Sequence, residues 1–165
     1  MPTLIKHGRI SPDSYVEIVS DEAGLIIPDG DVLLSLACFT AHRDAVLAHP
    51  GRKGVILAPD EFAESVADVI DQLDVVAIRF PSFADGRGYS TAYLLRTRYG
   101  FRGELRAIGD IFKDTLFYQQ RVGFDAFVLG SDAAAVAALP GLTTFAEVYH
   151  GSADDQRPLF LRRGA

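Results

Sequence analysis

The fold is decided by residues 54–80, which read GVILAPDEFAESVADVIDQLDVVAIRF. The apolar runs at 54–58 and 75–80 are short, continuous and rich in β-branched residues, as is typical of buried strands. Between them, residues 61–73 place Phe62, Val66 and Val69 at helical spacing and acidic side chains on the opposite face, which predicts an amphipathic helix. A strand, a helix and a second strand form the repeating unit of a parallel sheet.

The same alternation continues towards the C-terminus. Strands are predicted at 104–108, 124–129 and 145–149, and helices at 90–99, 111–122 and 131–139. The predicted strands begin about 20 to 29 residues apart, a spacing that fits parallel strands joined by helical crossovers. Upstream the pattern is less regular, with strands predicted at 15–19, 25–27 and 32–36 and a helix at 37–48.

The length limits how many such units the chain can hold. A complete eight-unit barrel needs about 250 residues, and this chain has 165 without a linker or low-complexity tract. We therefore predict one α/β domain over 1–165, with an irregular N-terminal β region at 1–50 and repeated β-α units at 54–150. The mostly parallel sheet is either partial and TIM-barrel-like, so that a homodimer would complete it, or open and doubly wound.

Composition excludes several classes of protein. With 22 acidic and 16 basic residues the net charge is −6, which argues against a nucleic-acid partner. The single cysteine, Cys38, allows no internal disulfide and no iron–sulfur cluster held by this chain alone; it reads as a core thiol. Because no apolar run approaches the roughly 18 residues of a membrane helix, no membrane association is predicted, and the expected location is the cytoplasm.

The charge is distributed unevenly along the chain. Residues 79–121 contain eight basic and four acidic side chains, whereas the segments on both sides are acidic. This basic segment is where an anionic ligand or an acidic partner is expected. The alternative is that Arg96, Arg98 and Arg102 merely solvate a helix surface and its exit.

The loop after the second strand of the pattern is the candidate anion site. It reads PSFADGRGYS at 81–90, and its glycines and backbone amides, with a guanidinium between them, could bind a small oxyanion such as sulfite, sulfate or phosphate. The predicted anion-binding residues are Gly86, Arg87, Gly88, Ser90, Arg106 and Lys113. The alternative is a tight turn in which Asp85 or Ser90 caps the following helix. Arg79 and Arg106 lie within strands and either join this site or form structural pairs with Glu104 or Asp125.

Carboxylates follow three successive strands. Asp85 and Asp110 are the candidate catalytic residues, and with Asp132 they could hold a divalent cation. Helix capping explains Asp110 and Asp132 better, so no metal site is predicted. Gly86-Arg87-Gly88 begins like a dinucleotide fingerprint but has Thr91 where the third glycine belongs, and no cofactor is assigned. The histidines, including His42, His49 and His150, form no recognisable metal or catalytic pattern.

A family resemblance rests on residues 80–129. The matching motifs are Phe80-Pro81, DGRGYS at 85–90, LLR at 94–96, GELRA at 103–107, Gly109-Asp110, Asp114 and GFDAF at 123–127. This stretch closely resembles the bacterial family catalogued as domain of unknown function 934. The resemblance implies an association with assimilatory sulfate reduction, since members are labelled probable oxidoreductases of sulfite reduction and are associated with the sulfite reductase haemoprotein. It transfers no catalytic residue.

Three functions follow as expectations. The first is an accessory protein of assimilatory sulfite reduction that binds a small oxyanion, or the sulfite reductase haemoprotein or its electron donor, at a basic site where the strands end. The second is an oxidoreductase or metal-assisted enzyme of sulfur assimilation that uses Asp85 and Asp110, or a flavin or nicotinamide from solution. The third is a non-catalytic subunit that docks an electron donor.

Overall fold

A curled sheet of eight strands forms the centre of the computed structural model, which describes residues 2–19 and 25–162. The strands are β1 (Thr3–Lys6), β2 (Arg9–Ser11), β3 (Tyr15–Ile18), β4 (Asp31–Ser35), β5 (Lys53–Leu57), β6 (Val75–Phe80), β7 (Glu104–Gly109) and β8 (Ala126–Leu129). Their order across the sheet is β2-β1-β8-β7-β6-β5-β4-β3. Strands β3 to β8 are parallel, whereas β1 runs antiparallel to both β8 and β2. The mostly parallel α/β fold is thereby confirmed.

The helices pack around the outer face of this sheet. They are α1 (Leu36–Ala41), α2 (Arg43–Leu47), α3 (Arg87–Thr97), α4 (Lys113–Val122), α5 (Asp132–Ala138) and α6 (Leu159–Arg162). Buried helix residues such as Phe39, Leu95 and Leu116 belong to the main core, whereas the smaller core on the inner face contains only strand residues. A doubly wound sheet needs helices on both faces, so that alternative is wrong and the partial-barrel alternative is confirmed. No helix within the described ranges is long and apolar enough to cross a membrane.

A short connection shows how far the sheet curls. Strands β2 and β3 occupy opposite edges of the sheet, yet only residues 12–14 separate Ser11 from Tyr15. Four residue steps span at most about 14 Å, whereas the edges of a flat eight-stranded sheet lie about 34 Å apart. The two edges must therefore approach each other, and the sheet is a half-barrel with a concave interior.

Contacts across the interior support the same geometry. Arg106 on β7 donates a 2.8 Å hydrogen bond from Nη1 to Asp13 Oδ2, just before β3. Arg79 on β6 lies 3.7 Å from the carboxylate of Glu17 on β3. Because two strands lie between β6 and β3 in the sheet order, and three lie between β7 and β3, these side chains bridge the concave face.

The predicted strands β5 to β8 are confirmed, with small changes in their bounds. Strand β8 begins at Ala126 and not at 124, and α3 begins at Arg87 and not at 90, so Arg87 and Gly88 are helical. The predicted helix at 37–48 is two helices that meet at His42.

The helix predicted at 61–73 is wrong. Its place is taken by two 3₁₀ turns, Ala63–Val66 and Ile70–Gln72. The buried side chains Ala63, Val66 and Val69 recur every third residue, which is the period of a 3₁₀ helix. Phe62, which the helical pattern turns inward, is exposed.

Two further predicted strands, at 145–149 and 25–27, are also wrong. Strand β1 occupies the position beside β8, and β3 pairs directly with β4, so neither segment finds a free sheet edge there. The β1–β2 hairpin was not predicted from the sequence. Its two-residue turn is His7-Gly8, with φ of 48° and 74°, the left-handed conformation of the tight turns that join antiparallel strands.

Candidate functional site

The carboxyl ends of the parallel strands and the loops that follow them form one edge of the half-barrel, here called the strand-end edge. Asp110 ties two of these loops together: its Oδ2 accepts a 2.9 Å hydrogen bond from the N–H of Phe83, and its own N–H donates to the Phe80 carbonyl at 2.8 Å. The backbone reaches this arrangement through Gly109, whose φ is 99°. Asp110 thus holds the loop after β6 against the loop after β7.

The guanidinium of Arg87 is already engaged. It donates to both carboxylate oxygens of Asp85, from Nε at 3.0 Å and Nη2 at 2.6 Å, and its backbone N–H also reaches Asp85. This side-chain hydrogen bonding lowers the pKa of Asp85. The fork geometry that an oxyanion would need is therefore occupied by a neighbouring residue.

The remaining residues of the predicted loop site face different surroundings. Gly88 is buried, and a Cβ there would lie within 2.9 Å of the side chains of Phe80 and Ile78, so this glycine allows α3 to pack on β6. Ser90 is exposed and lines a groove beside Tyr93. Gly86 is the N-cap residue of α3 and no side chain caps this helix end, so neither Asp85 nor Ser90 has the N-cap position that the turn alternative gave it.

The predicted anion-binding set as a whole is spread over separate places. Arg106 is buried in the interior at 1% exposure, where its Nε donates to Glu104 Oε1 at 2.6 Å. Lys113 is exposed at the start of α4 and forms no ion pair with a described residue. Pairing with Glu104 was predicted as one alternative to a place for Arg106 in the anion site, and this pairing is confirmed.

Most of the basic segment is neutralised within the fold. Its ion pairs are Arg79–Glu17, Arg87–Asp85, Arg96–Asp125, Arg98–Glu64, Arg106–Glu104, Arg106–Asp13 and Arg121–Asp154. The excess of positive charge in the sequence therefore does not become a correspondingly positive surface.

Arg96 does not merely solvate the surface of a helix, which was one of the alternatives for this residue; it has a structural role. Its Nε donates to the Gly123 carbonyl, its Nη1 donates to the carbonyls of Phe101 and Gly103, and its Nη2 reaches Asp125 at 3.1 Å. Burial raises the pKa of Asp125, while the charge of Arg96 opposes that rise. Arg96 thus joins α3 to the loops that precede β7 and β8.

The three strand-end aspartates do not come together. Asp132 accepts a hydrogen bond from Thr3 in the first turn of α5, whose N-cap is Ser131, and Asp85 and Asp110 have the partners given above. Among the described residues, no three His, Cys, Asp or Glu side chains are grouped as metal ligands. Cys38 lies in the main core, and a ring nitrogen of His49 is 2.7 Å from the Gly30 carbonyl oxygen.

A polar cluster inside the half-barrel was only partly predicted. Its members are Lys6, Asp13, Tyr15, Glu104 and Arg106. Lys6 Nζ lies 2.7 Å from Glu104 Oε2, and the guanidinium of Arg106 stacks 5.1 Å from the centre of the Tyr15 ring. Burial would raise the pKa of Glu104, but the hydrogen bond from Lys6 and the charge of Arg106 outweigh it and lower that pKa. Burial raises the pKa of Tyr15 above its usual range.

A second arginine, Arg52, stacks on Tyr15 and holds Asp31. Its Nη2 donates to Asp31 Oδ2 at 2.6 Å, and this hydrogen bonding, with that of Ser14, lowers the pKa of Asp31 to about 2.

We expect Arg52→Ala to return the pKa of Asp31 towards about 3.9, as measured by NMR titration of its carboxyl carbon. Because the folded-state pKa is lowered, the pair stabilises the fold above about pH 4, and this contribution is lost as the pH falls towards 2. Arg98→Ala, at a distant exposed pair, should leave the titration unchanged. An unchanged midpoint in Arg52→Ala would contradict the assignment.

Two exposed aromatic side chains lie at the strand-end edge, and neither was among the predicted site residues. Phe83 is 65% exposed and Phe112 is 47% exposed, and their rings meet edge to face with centroids 6.2 Å apart. Lys113 follows Phe112 directly. These three residues are called the aromatic edge below.

The geometry defines a class of protein: a curled, mostly parallel α/β half-barrel with an aromatic edge where its strands end. Residues 54–160 match a family described as bacterial protein of unknown function, DUF934, and this match covers well over half of the chain. The chain belongs to that family. No curated protein sequence matches it significantly.

Proposed function

We propose that this protein is a non-catalytic accessory subunit of assimilatory sulfite reduction, which docks the sulfite reductase haemoprotein in the cytoplasm through its aromatic edge. The observation that carries the docking is the exposed pair Phe83 and Phe112. Large aromatic side chains dominate the binding energy of protein interfaces, and contiguous exposed apolar groups mark such surfaces. The identity of the partner rests on the family resemblance.

The pair is also held in place before any partner binds. The N–H of Phe83 is bonded to the Asp110 carboxylate, and Phe112 immediately precedes the first residue of α4. A loop that is already ordered loses less conformational entropy on binding, which favours affinity. Lys113 beside the pair supplies a positive charge that has no partner within the described residues, which suits an acidic rim on the haemoprotein.

Oxyanion binding at the loop after β6 has less support. Arg87 is engaged by Asp85, and Arg106 is buried with Glu104. An anion at this loop would have to displace a carboxylate that is already held by two hydrogen bonds. Docking requires no such exchange.

We expect Phe83→Ala and Phe112→Ala each to weaken binding to the purified haemoprotein by about tenfold or more, as measured by isothermal titration calorimetry. Phe160→Ala is the matched control, because Phe160 is 69% exposed on α6. It should bind as the wild type does.

Two substitutions at Asp110 test whether this residue positions the Phe83 loop or has a catalytic role. Asp110→Asn keeps an oxygen that can accept from Phe83 N–H, so binding should persist, whereas Asp110→Ala should weaken it. Wild-type protein that does not bind the haemoprotein, or aromatic variants that bind like Phe160→Ala, would refute the docking surface.

A further inference from the structure

The interior of the half-barrel holds a cavity at the strand-end edge, separate from the aromatic edge. Its volume is about 430 Å³, within the range of sites for small molecules. In barrels of parallel strands, ligands bind at the carboxyl ends of the strands. The lining residues that matter here are Val19, Ser35, Ile56, Ala58, Glu61 and Arg79.

Arg79 is the cation of this cavity, and its hydrogen-bonding capacity is largely unused. It is about 41% exposed, and its ion pair with Glu17 at 3.7 Å is too long for a hydrogen bond. By contrast, Arg106 on the same face of the sheet is buried with two carboxylates. The guanidinium of Arg87 already donates two hydrogen bonds to Asp85. The Arg79 guanidinium can therefore still donate a pair of hydrogen bonds to a carboxylate.

Glu61 adds an acceptor to the same cavity. Its Oε2 accepts a 2.6 Å hydrogen bond from the N–H of Ala58, which fixes the carboxylate after β5. Its second oxygen has no hydrogen-bond donor among the described residues. A ligand that binds here meets a donor at Arg79, an acceptor at Glu61 and apolar walls from Val19 and Ile56.

We infer that this cavity binds a small organic acid that carries a hydroxyl or amino group beside its carboxylate. The carboxylate pairs with Arg79, and the hydroxyl or ammonium group donates to Glu61. A bare anion is disfavoured because the negative charge of Glu61 would face it without a donor between them. This inference does not depend on the proposed docking function, because it uses other residues and another readout.

The test compares three acids of nearly equal size: L-alanine, L-lactate and propionate. Each is titrated at millimolar concentration into the isotope-labelled full chain, and backbone amide shifts are followed by NMR. We expect alanine or lactate to bind at least about tenfold more tightly than propionate, with shifts at Ala58, Glu61 and Arg79. Alanine and lactate distinguish an amino from a hydroxy acid as the ligand.

Two variants assign the roles. Arg79→Met should weaken binding of the preferred acid by about tenfold or more, whereas Arg98→Met, at an exposed arginine on α3's exit, should not. Glu61→Gln keeps an acceptor for Ala58 N–H but removes the charge, so it should abolish the preference over propionate. The inference is overturned if none of the acids shifts these amides, or if Arg79→Met binds as tightly as the wild type.

Discussion

Replacing Arg106 by methionine is expected to lower the free energy of unfolding by about 3–5 kcal/mol. Arg106 is 1% exposed and neutralises both Glu104 and Asp13 while stacking on Tyr15. Methionine fills much of the same space but removes the positive charge that neutralises the two carboxylates. The loss is large because Glu104 is itself buried. Urea denaturation at neutral pH, followed by circular dichroism, measures the loss.

The loss of stability from removing the buried charge of Arg106 should be larger than the loss from removing a charge on the surface. Arg98→Met removes an exposed ion pair, with 3.9 Å between Arg98 and Glu64, and should cost less than about 1 kcal/mol. Adding Glu104→Gln to Arg106→Met should restore part of the loss, because the carboxylate left with less compensation is then gone. A loss in Arg106→Met no larger than in Arg98→Met would show that the interior cluster does not hold the half-barrel together.

Replacing Gly109 by alanine is expected to destabilise the fold by about 2–4 kcal/mol, through backbone strain and a steric clash. Gly109 has φ of 99°, and a Cβ there would lie 2.3 Å from the carbonyl oxygen of Phe80. That carbonyl accepts the Asp110 N–H. Moving it should also release the Phe83 amide, so hydrogen exchange at Phe83 should quicken, in addition to the loss measured by urea denaturation.

Two other glycines provide graded controls. Gly100 has φ of 67° but open space around its Cβ position, so Gly100→Ala should cost only the strain, about 1 kcal/mol. Gly130 has open space and no such φ, and Gly130→Ala should be nearly neutral. Equal losses in all three variants would contradict the steric argument at Gly109.

The central strands could be predicted because their apolar runs are continuous. Strands β5 to β8 are buried on both faces, so neighbouring residues such as Val55 and Ile56, which lie in the outer and the inner core, are both apolar. Residues two apart in a strand share a face, which is why Glu104 was one of the two structural partners considered for Arg106.

The contacts that close the half-barrel could not be predicted in this way. Asp13 reaches Arg106 across 93 residues of sequence, and no local pattern identifies such a partner. The prediction drawn from the charge of residues 79–121 failed for the same reason. Its excess of basic residues suggested a positive surface, but partners such as Asp13 and Asp154 come from the acidic segments on either side and neutralise it.

The predicted anion-binding loop and the aromatic edge both lie at the strand-end edge, but they rest on different residues. Parallel strands bring the loops at 81–86 and 110–112 together, and that much follows from topology. Which loop residues are exposed does not, because Phe83 and Phe112 look like core residues in a sequence. The catalytic roles of Asp85 and Asp110 and the homodimer remain predictions.

We propose that this protein assists the sulfite reductase haemoprotein without performing the reaction. The most direct measurement is the rate of sulfite reduction by the purified haemoprotein and its electron donor, at limiting enzyme concentration, with and without this protein. We expect a faster rate with wild type and with Phe160→Ala, and no increase with Phe83→Ala combined with Phe112→Ala. No sulfite should be consumed when the haemoprotein is omitted. An unchanged rate with the wild type, or sulfite consumption by this protein and the donor alone, would contradict it.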